Sequence, residues 1–158
     1  MAKKKIDKFM ARAFQIARAG VRKGQSPFGA VIVKNNKIIA EAHNTVWEDR
    51  DITAHAEINA IKKACKKLRT IDLMDCQIYS TTEPCPMCFS AIHWARISVV
   101  VYATTIGDSS YYGFNEMFIS NKTLKEKCNL PIIIISNFYR GEGLKLFEEW
   151  RKKNGKVY

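Results

Sequence analysis

The 158-residue chain reads as an α/β protein in which helices cover a mixed β-sheet. Two observations carry this. Short β-branched runs alternate with helix-length amphipathic segments in the order β-β-α-β-α-β and then β-α. The first two strands are joined by Asn35-Asn36, and Asn tolerates the left-handed backbone of a tight hairpin turn. A hairpin together with helix-linked strands makes the sheet mixed.

Each element follows from its residues. Ile6, Phe9, Met10, Ala13, Ala17 and Val21 recur at three- and four-residue spacing, which predicts an amphipathic helix over 6–22 that Gly24 ends. Residues 28–33 and 37–42 are the hairpin strands. A second helix is expected over 53–68, with Ile58, Ile61, Ala64, Cys65 and Leu68 on one face and Thr53 as N-cap. A strand at 76–81 leads into a helix over 85–95, with Pro84 and Pro86 at the start, where proline is tolerated. Strands are expected at 98–103 and 130–137, and a last helix over 144–153. Residues 107–118 give no clear period.

At this length the chain forms one ordinary domain that needs no disulfide support. No apolar run approaches the roughly 18 residues that cross a membrane. The basic start Met1-Ala2-Lys3-Lys4-Lys5 is not followed by a signal-peptide core, so the expected location is the cytosol. Five cysteines are too few, and odd in number, for a secreted disulfide scaffold, and Cys65, Cys76 and Cys128 read as inert packing. The net charge is +11, with 18 of 26 basic residues lysine. Such a surface attracts polyanions, but no arginine cluster for bidentate phosphate capture is visible.

The chemistry lies in two motifs, His55-Ala56-Glu57 and Pro84-Cys85-Pro86-Met87-Cys88. One imidazole and two thiolates are the ligand set of a zinc ion with an open fourth position. Cys85 and Cys88 share one side of a helix start, where the dipole favours thiolate. His55 and Glu57 face nearly opposite ways in a regular helix, so both reach one site only if His55 lies at or before the first turn. Glu57 beside an open zinc position can take a proton from water and pass it on. His43 and His93 are the other histidines, and each reads as non-ligating. Three ligands plus a carboxylate is a catalytic rather than a structural set, and H-x-E with P-C-x-x-C is the pattern of zinc nucleobase deaminases.

The segment from Pro27 to Val101 resembles the cytidine-deaminase-like superfamily, through Pro27-Phe28-Gly29-Ala30, Asn44, Thr53-Ala54-His55-Ala56-Glu57 and Glu83-Pro84-Cys85-Pro86-Met87-Cys88. That resemblance implies a three-layer α/β/α fold with a central five-stranded mixed sheet, one zinc per chain, and a homodimer. Ile92-His93-Trp94-Ala95-Arg96, Tyr112-Gly113-Phe114-Asn115-Glu116-Met117-Phe118 and the end from Trp150 to Tyr158 resemble small bacterial-type guanine deaminases. This second resemblance spans nearly the whole chain. It implies hydrolysis of guanine to xanthine and ammonia, with Phe28 stacking on the base and Asn44, Trp94 and Tyr158 as further substrate contacts; Ala56 joins them on its own residue type, since small side chains beside His55 leave room for a ligand. It also implies a C-terminal segment, 138–158, swapped onto the partner subunit. A second catalytic carboxylate is implied after the Gly-Phe pair, where Asn115 and Glu116 stand. Glu116 is the acid there, in a place where Asp is frequent in the family. Three readings compete. The tRNA adenosine deaminases share the zinc motifs but carry a Gly-Ala-x-Gly-Ser-like loop, which residues 106–113 do not match. A nucleoside deaminase would use the same scaffold. A non-catalytic basic RNA-binding module would have no need of Glu57.

Overall fold

The computed structural model describes residues 7–158, so Ile6 and the basic start lie outside it. The first helix, α1 (Lys8–Arg22), opens on Asp7, whose carboxylate accepts from the amides of Phe9 and Met10. It buries Phe9, Met10, Ala13, Phe14, Ala17 and Val21, the stripe the period predicts with Phe14 added. The hairpin of β1 (Gly29–Lys34) and β2 (Lys37–His43) turns at Asn35 and Asn36, both with positive φ. Gly29 is required by close approach. A Cβ there would overlap the Ala13 carbonyl and the Ala17 amide of α1.

The sheet has five strands in the order β2-β1-β3-β4-β5, with β3 (Cys76–Thr82), β4 (Val99–Thr104) and β5 (Ile133–Ile135). Strand β1 is antiparallel to both neighbours, and β3, β4 and β5 run parallel. Helices α1 and α7 (Arg140–Lys152) pack on each other and on the sheet, and α3 (Ala56–Leu68) packs on the sheet and on α4 (Pro86–Trp94). The expected three-layer α/β/α arrangement is therefore present. Three shorter helices, α2 (Val46–Asp49), α5 (Ile106–Tyr111) and α6 (Asn121–Lys127), complete the described residues. None of the helices is long and apolar enough to cross a membrane.

Several boundaries differ from expectation for physical reasons. Thr53 is not the N-cap of α3. Its amide and hydroxyl both donate to Asp51, so its side chain is spent in a local turn, and His55 is the cap residue. The fully buried face of α3 is Ala56, Glu57, Ala60 and Ala64, with Ile61, Cys65 and Leu68 only partly buried. Small residues let this helix lie close to the sheet. Strand β5 is far shorter than 130–137, because Pro131 offers no N–H and the strand sits at the sheet edge. Helix α7 starts at Arg140, its first turn hidden in the sequence by Gly141 and Gly143. In the stretch without a period, Thr105 and Asp108 form a capping box that starts α5. Cys76 is buried and Cys65 partly so, but Cys128 is exposed at the end of α6, against the expectation that it packs.

Candidate metal centre and substrate cavity

The site forms where the carboxyl ends of the parallel strands meet the start of antiparallel β1, the crevice in which open α/β sheets bind ligands. His55 stands just before α3 with extended backbone (φ −70°, ψ 156°). This lets its ring face the same point as Glu57, which lies in the first turn of the helix. Cys85 is the cap residue of α4 and Cys88 is in its first turn, with Pro86 between them at the first helical position.

His55 Nδ1 lies 3.6 Å from Cys85 Sγ and 3.4 Å from Cys88 Sγ. All three donor atoms fall within 4.8 Å of one another. A zinc tetrahedron with Zn–S of about 2.3 Å and Zn–N of about 2.0–2.1 Å places N and S about 3.6 Å apart, so the donor set and its spacing fit zinc. Neither His43 nor His93 belongs to the cluster. His43 bonds the Asn44 carbonyl through Nδ1, and His93 lies beside Trp94 on α4.

The electrostatics follow from burial at this point. The hydrogen bond from Cys88, with His55 beside it, pulls the Cys85 thiol down to about 4, so Cys85 is a thiolate at neutral pH. Cys88 is pushed well up, first by that shared bond with Cys85 and then by burial. Burial lowers His55, but the Cys85 sulfur and Glu57 outweigh it and raise the ring overall. Burial raises Glu57, and the Cys85 charge adds to it. Its two oxygens are held apart: Oε1 accepts from Ser80 Oγ at 3.0 Å and Oε2 accepts from Cys88 Sγ at 3.5 Å. Ser80 comes from β3. Nothing in the local sequence around it signals this contact.

A cavity of about 290 Å³ opens over these groups. Phe28, Phe114, Glu116 and Tyr158 form walls. Phe28 and Phe114 meet edge to face at 4.9 Å. Burial raises the Glu116 carboxyl, which accepts from Ser109 Oγ at 2.8 Å. Asn115 also lines the cavity. Tyr158 reaches the cavity of its own chain. Its Oη accepts from Asn44 Nδ2 at 2.6 Å, and its ring lies 5.6 Å from that of His55. Asn44, fully buried, is thus in contact with the cavity through Tyr158, and its Oδ1 accepts from the Val46 amide. The structure does not bring two expected contacts to this cavity. Ala56 belongs to the core behind it, and Trp94 is 80% exposed on the outer side of α4. Thr82, Glu83, Met87 and Met117 line the cavity without having been singled out from the sequence, although Glu83, Met87 and Met117 stand inside the quoted motifs.

The family model for the cytidine and deoxycytidylate deaminase zinc-binding region matches residues 3–104, the part of the chain that holds all three metal ligands and Glu57. The chain belongs to this family. It is 44% identical to the guanine deaminase of Bacillus subtilis over 95% of this chain and 97% of the relative. It is 43% identical to the tRNA-specific adenosine deaminase of the same organism over 92% and 90%. Among solved structures, the guanine deaminase from Nitrosomonas europaea superimposes with a TM-score of 0.84 at 26% identity, over 95% of this chain and 87% of that one. As a zinc deaminase the chain carries a catalytic rather than a structural metal centre, since three protein ligands leave one position for water.

Proposed function

We propose that this protein hydrolyses guanine to xanthine and ammonia. The observation that carries the choice of a free base is Tyr158, which bonds Asn44 and lines a small cavity over the metal ligands. A tail seated there narrows the room for a base embedded in RNA. The B. subtilis guanine deaminase also matches along nearly all of the chain, well beyond the zinc region.

His55, Cys85 and Cys88 hold the zinc, which supplies a Lewis acid that brings the pKa of water at its open position toward about 7. Phe28 and Phe114 hold the planar base between apolar surfaces. Glu57 takes the proton of the attacking water and delivers it to a ring nitrogen, and Ser80 keeps the carboxylate turned toward the cavity. Water adds at C2, and the C2–N bond breaks once the leaving amine is protonated. Glu116, kept easy to protonate by burial, faces the same space and assists that transfer. One water enters, and one ammonia and one xanthine leave. Tyr158 helps exclude bulk water.

The working unit we propose is a homodimer. Trp94, Met117 and Phe118 are large exposed hydrophobics, and Met87 and Met117 connect that surface to the cavity rim. In a dimer Trp94 is available to the neighbouring copy's site. Exchange of 138–158 between copies would make the Tyr158 contacts in trans instead of within one chain. Unpaired cysteines and zinc thiolates suit a reducing compartment, the cytosol.

The second reading, deamination of adenosine in tRNA, has its support in the B. subtilis tRNA deaminase and in the basic surface. Ammonia release from a panel of guanine, guanosine, cytosine, cytidine, adenine and a tRNA stem-loop separates them. Turnover of guanine alone is expected. Turnover of the stem-loop without guanine overturns the reading.

A further inference from the structure

Segment 106–121 closes one side of the cavity yet has little regular structure of its own. Between Tyr111 and Asn121 it forms no helix or strand. It nevertheless carries Phe114, Asn115, Glu116 and Met117 into the cavity wall. A loop of this kind needs anchors, because each unfixed residue retains backbone entropy that blurs the position of its side chains.

Both anchors converge on one side chain. Glu83, only 5% exposed, follows β3 and precedes the two zinc cysteines. Its Oε2 accepts from the amide of Ile106 at 3.1 Å, where the segment leaves the sheet. Its Oε1 accepts from the amide of Asn121 at 2.8 Å, where the segment ends. Asn121 then donates from Nδ2 to the Pro84 carbonyl at 2.6 Å. The Glu83 amide itself donates to Thr104 at 2.7 Å, which fixes the carboxylate relative to β4. A buried carboxylate tolerates its desolvation only when donors satisfy it, and here the donors are the first amides of α5 and α6, with the Tyr102 hydroxyl beside them.

We propose that Glu83 is a positioning residue, a clasp that ties both ends of segment 106–121 to the zinc loop and so sets Phe114 and Glu116 over the metal ligands. Glu83 touches no reacting atom in this role. It acts through the residues it places. The proposal rests on the deaminase reading for its effect on rate, but the clasp itself can be read without any substrate.

The test uses zinc-loaded Glu83→Gln. Its amide oxygen still accepts one N–H, while its NH₂ faces the other donor. Hydrogen exchange of peptides covering 112–120 should speed up by roughly tenfold as local opening becomes easier. Zinc content should stay at wild type, and kcat/KM for guanine should fall by at least about tenfold through misplacement of the cavity wall. Val100→Ala, a core change in β4 away from the segment, controls for general destabilisation. It should lower Tm while leaving exchange at 112–120 and kcat/KM near wild type. Asn121→Ala keeps the carboxylate and breaks only the bond to Pro84. It should also speed exchange in 112–120, and it decides the matter if Glu83→Gln does not fold. Wild-type exchange in both variants overturns the clasp, as does loss of zinc from Glu83→Gln with exchange unchanged. If the wild-type protein leaves guanine untouched, the functional reading fails while the exchange result still decides the clasp.

Discussion

Glu57 is a carboxylate buried among two sulfurs and an imidazole, where Ser80, Cys88 and its own backbone amide hold it. Burial at that depth is costly unless the group has work to do. Glu57→Gln keeps the shape and removes the base, so zinc content should be unchanged while turnover falls by at least about 10²-fold. A near-normal rate would take Glu57 out of the mechanism. Cys88→Ala removes one of only three ligands, so metal analysis should show zinc lost together with activity. The residue types and spacing of this centre were legible in the sequence because a metal restricts both. Ser80 was not, since a serine in a strand carries no sign of which side chain it will face. Trp94 came from resemblance and Ala56 from its small size beside His55, and neither lines the cavity within one chain.

At the level of elements, helices with a strong apolar period and the Asn35-Asn36 hairpin were readable, and the structure forms them. The short helices α2, α5 and α6 were not, because four to seven residues hold too few turns to display a period. The tail after α7 is a further element without regular structure. It is placed by Trp47 Nε1, which donates to the Lys156 carbonyl at 3.3 Å, and by the Tyr158–Asn44 bond. Gly155 lies against the indole of Trp150, where a Cβ would collide. Deleting Val157 and Tyr158 should leave the circular dichroism spectrum and zinc content intact, because neither residue belongs to a sheet strand or a packed helix. It should lower kcat/KM for guanine by roughly tenfold or more by opening the cavity to water. An unchanged value would reduce the tail to a frayed end.

For the whole molecule, the open question is what its net charge of +11 means. Many acidic groups are already paired, with Arg12 on Glu41, Arg18 on Glu149 and Arg140 on Asp108. Surplus charge is left on exposed lysines such as Lys62, Lys63, Lys66 and Lys67 along α3. Lysines spread over a solvated face attract any polyanion but select none, and the attraction is screened within about 8 Å at physiological salt. The cavity makes the stronger statement, because Tyr158 lines it from within the chain. A tRNA stem-loop should therefore bind weakly, with an affinity that falls steeply as salt rises. At physiological salt it should not slow deamination of free guanine, since lysine contacts on α3 do not occupy the cavity. The measurement is the guanine rate against increasing stem-loop at two salt concentrations, with inosine content of the RNA read at the end. Competitive inhibition that survives physiological salt, together with inosine in the stem-loop, would show that the tail opens for RNA and that the basic face is part of the substrate site.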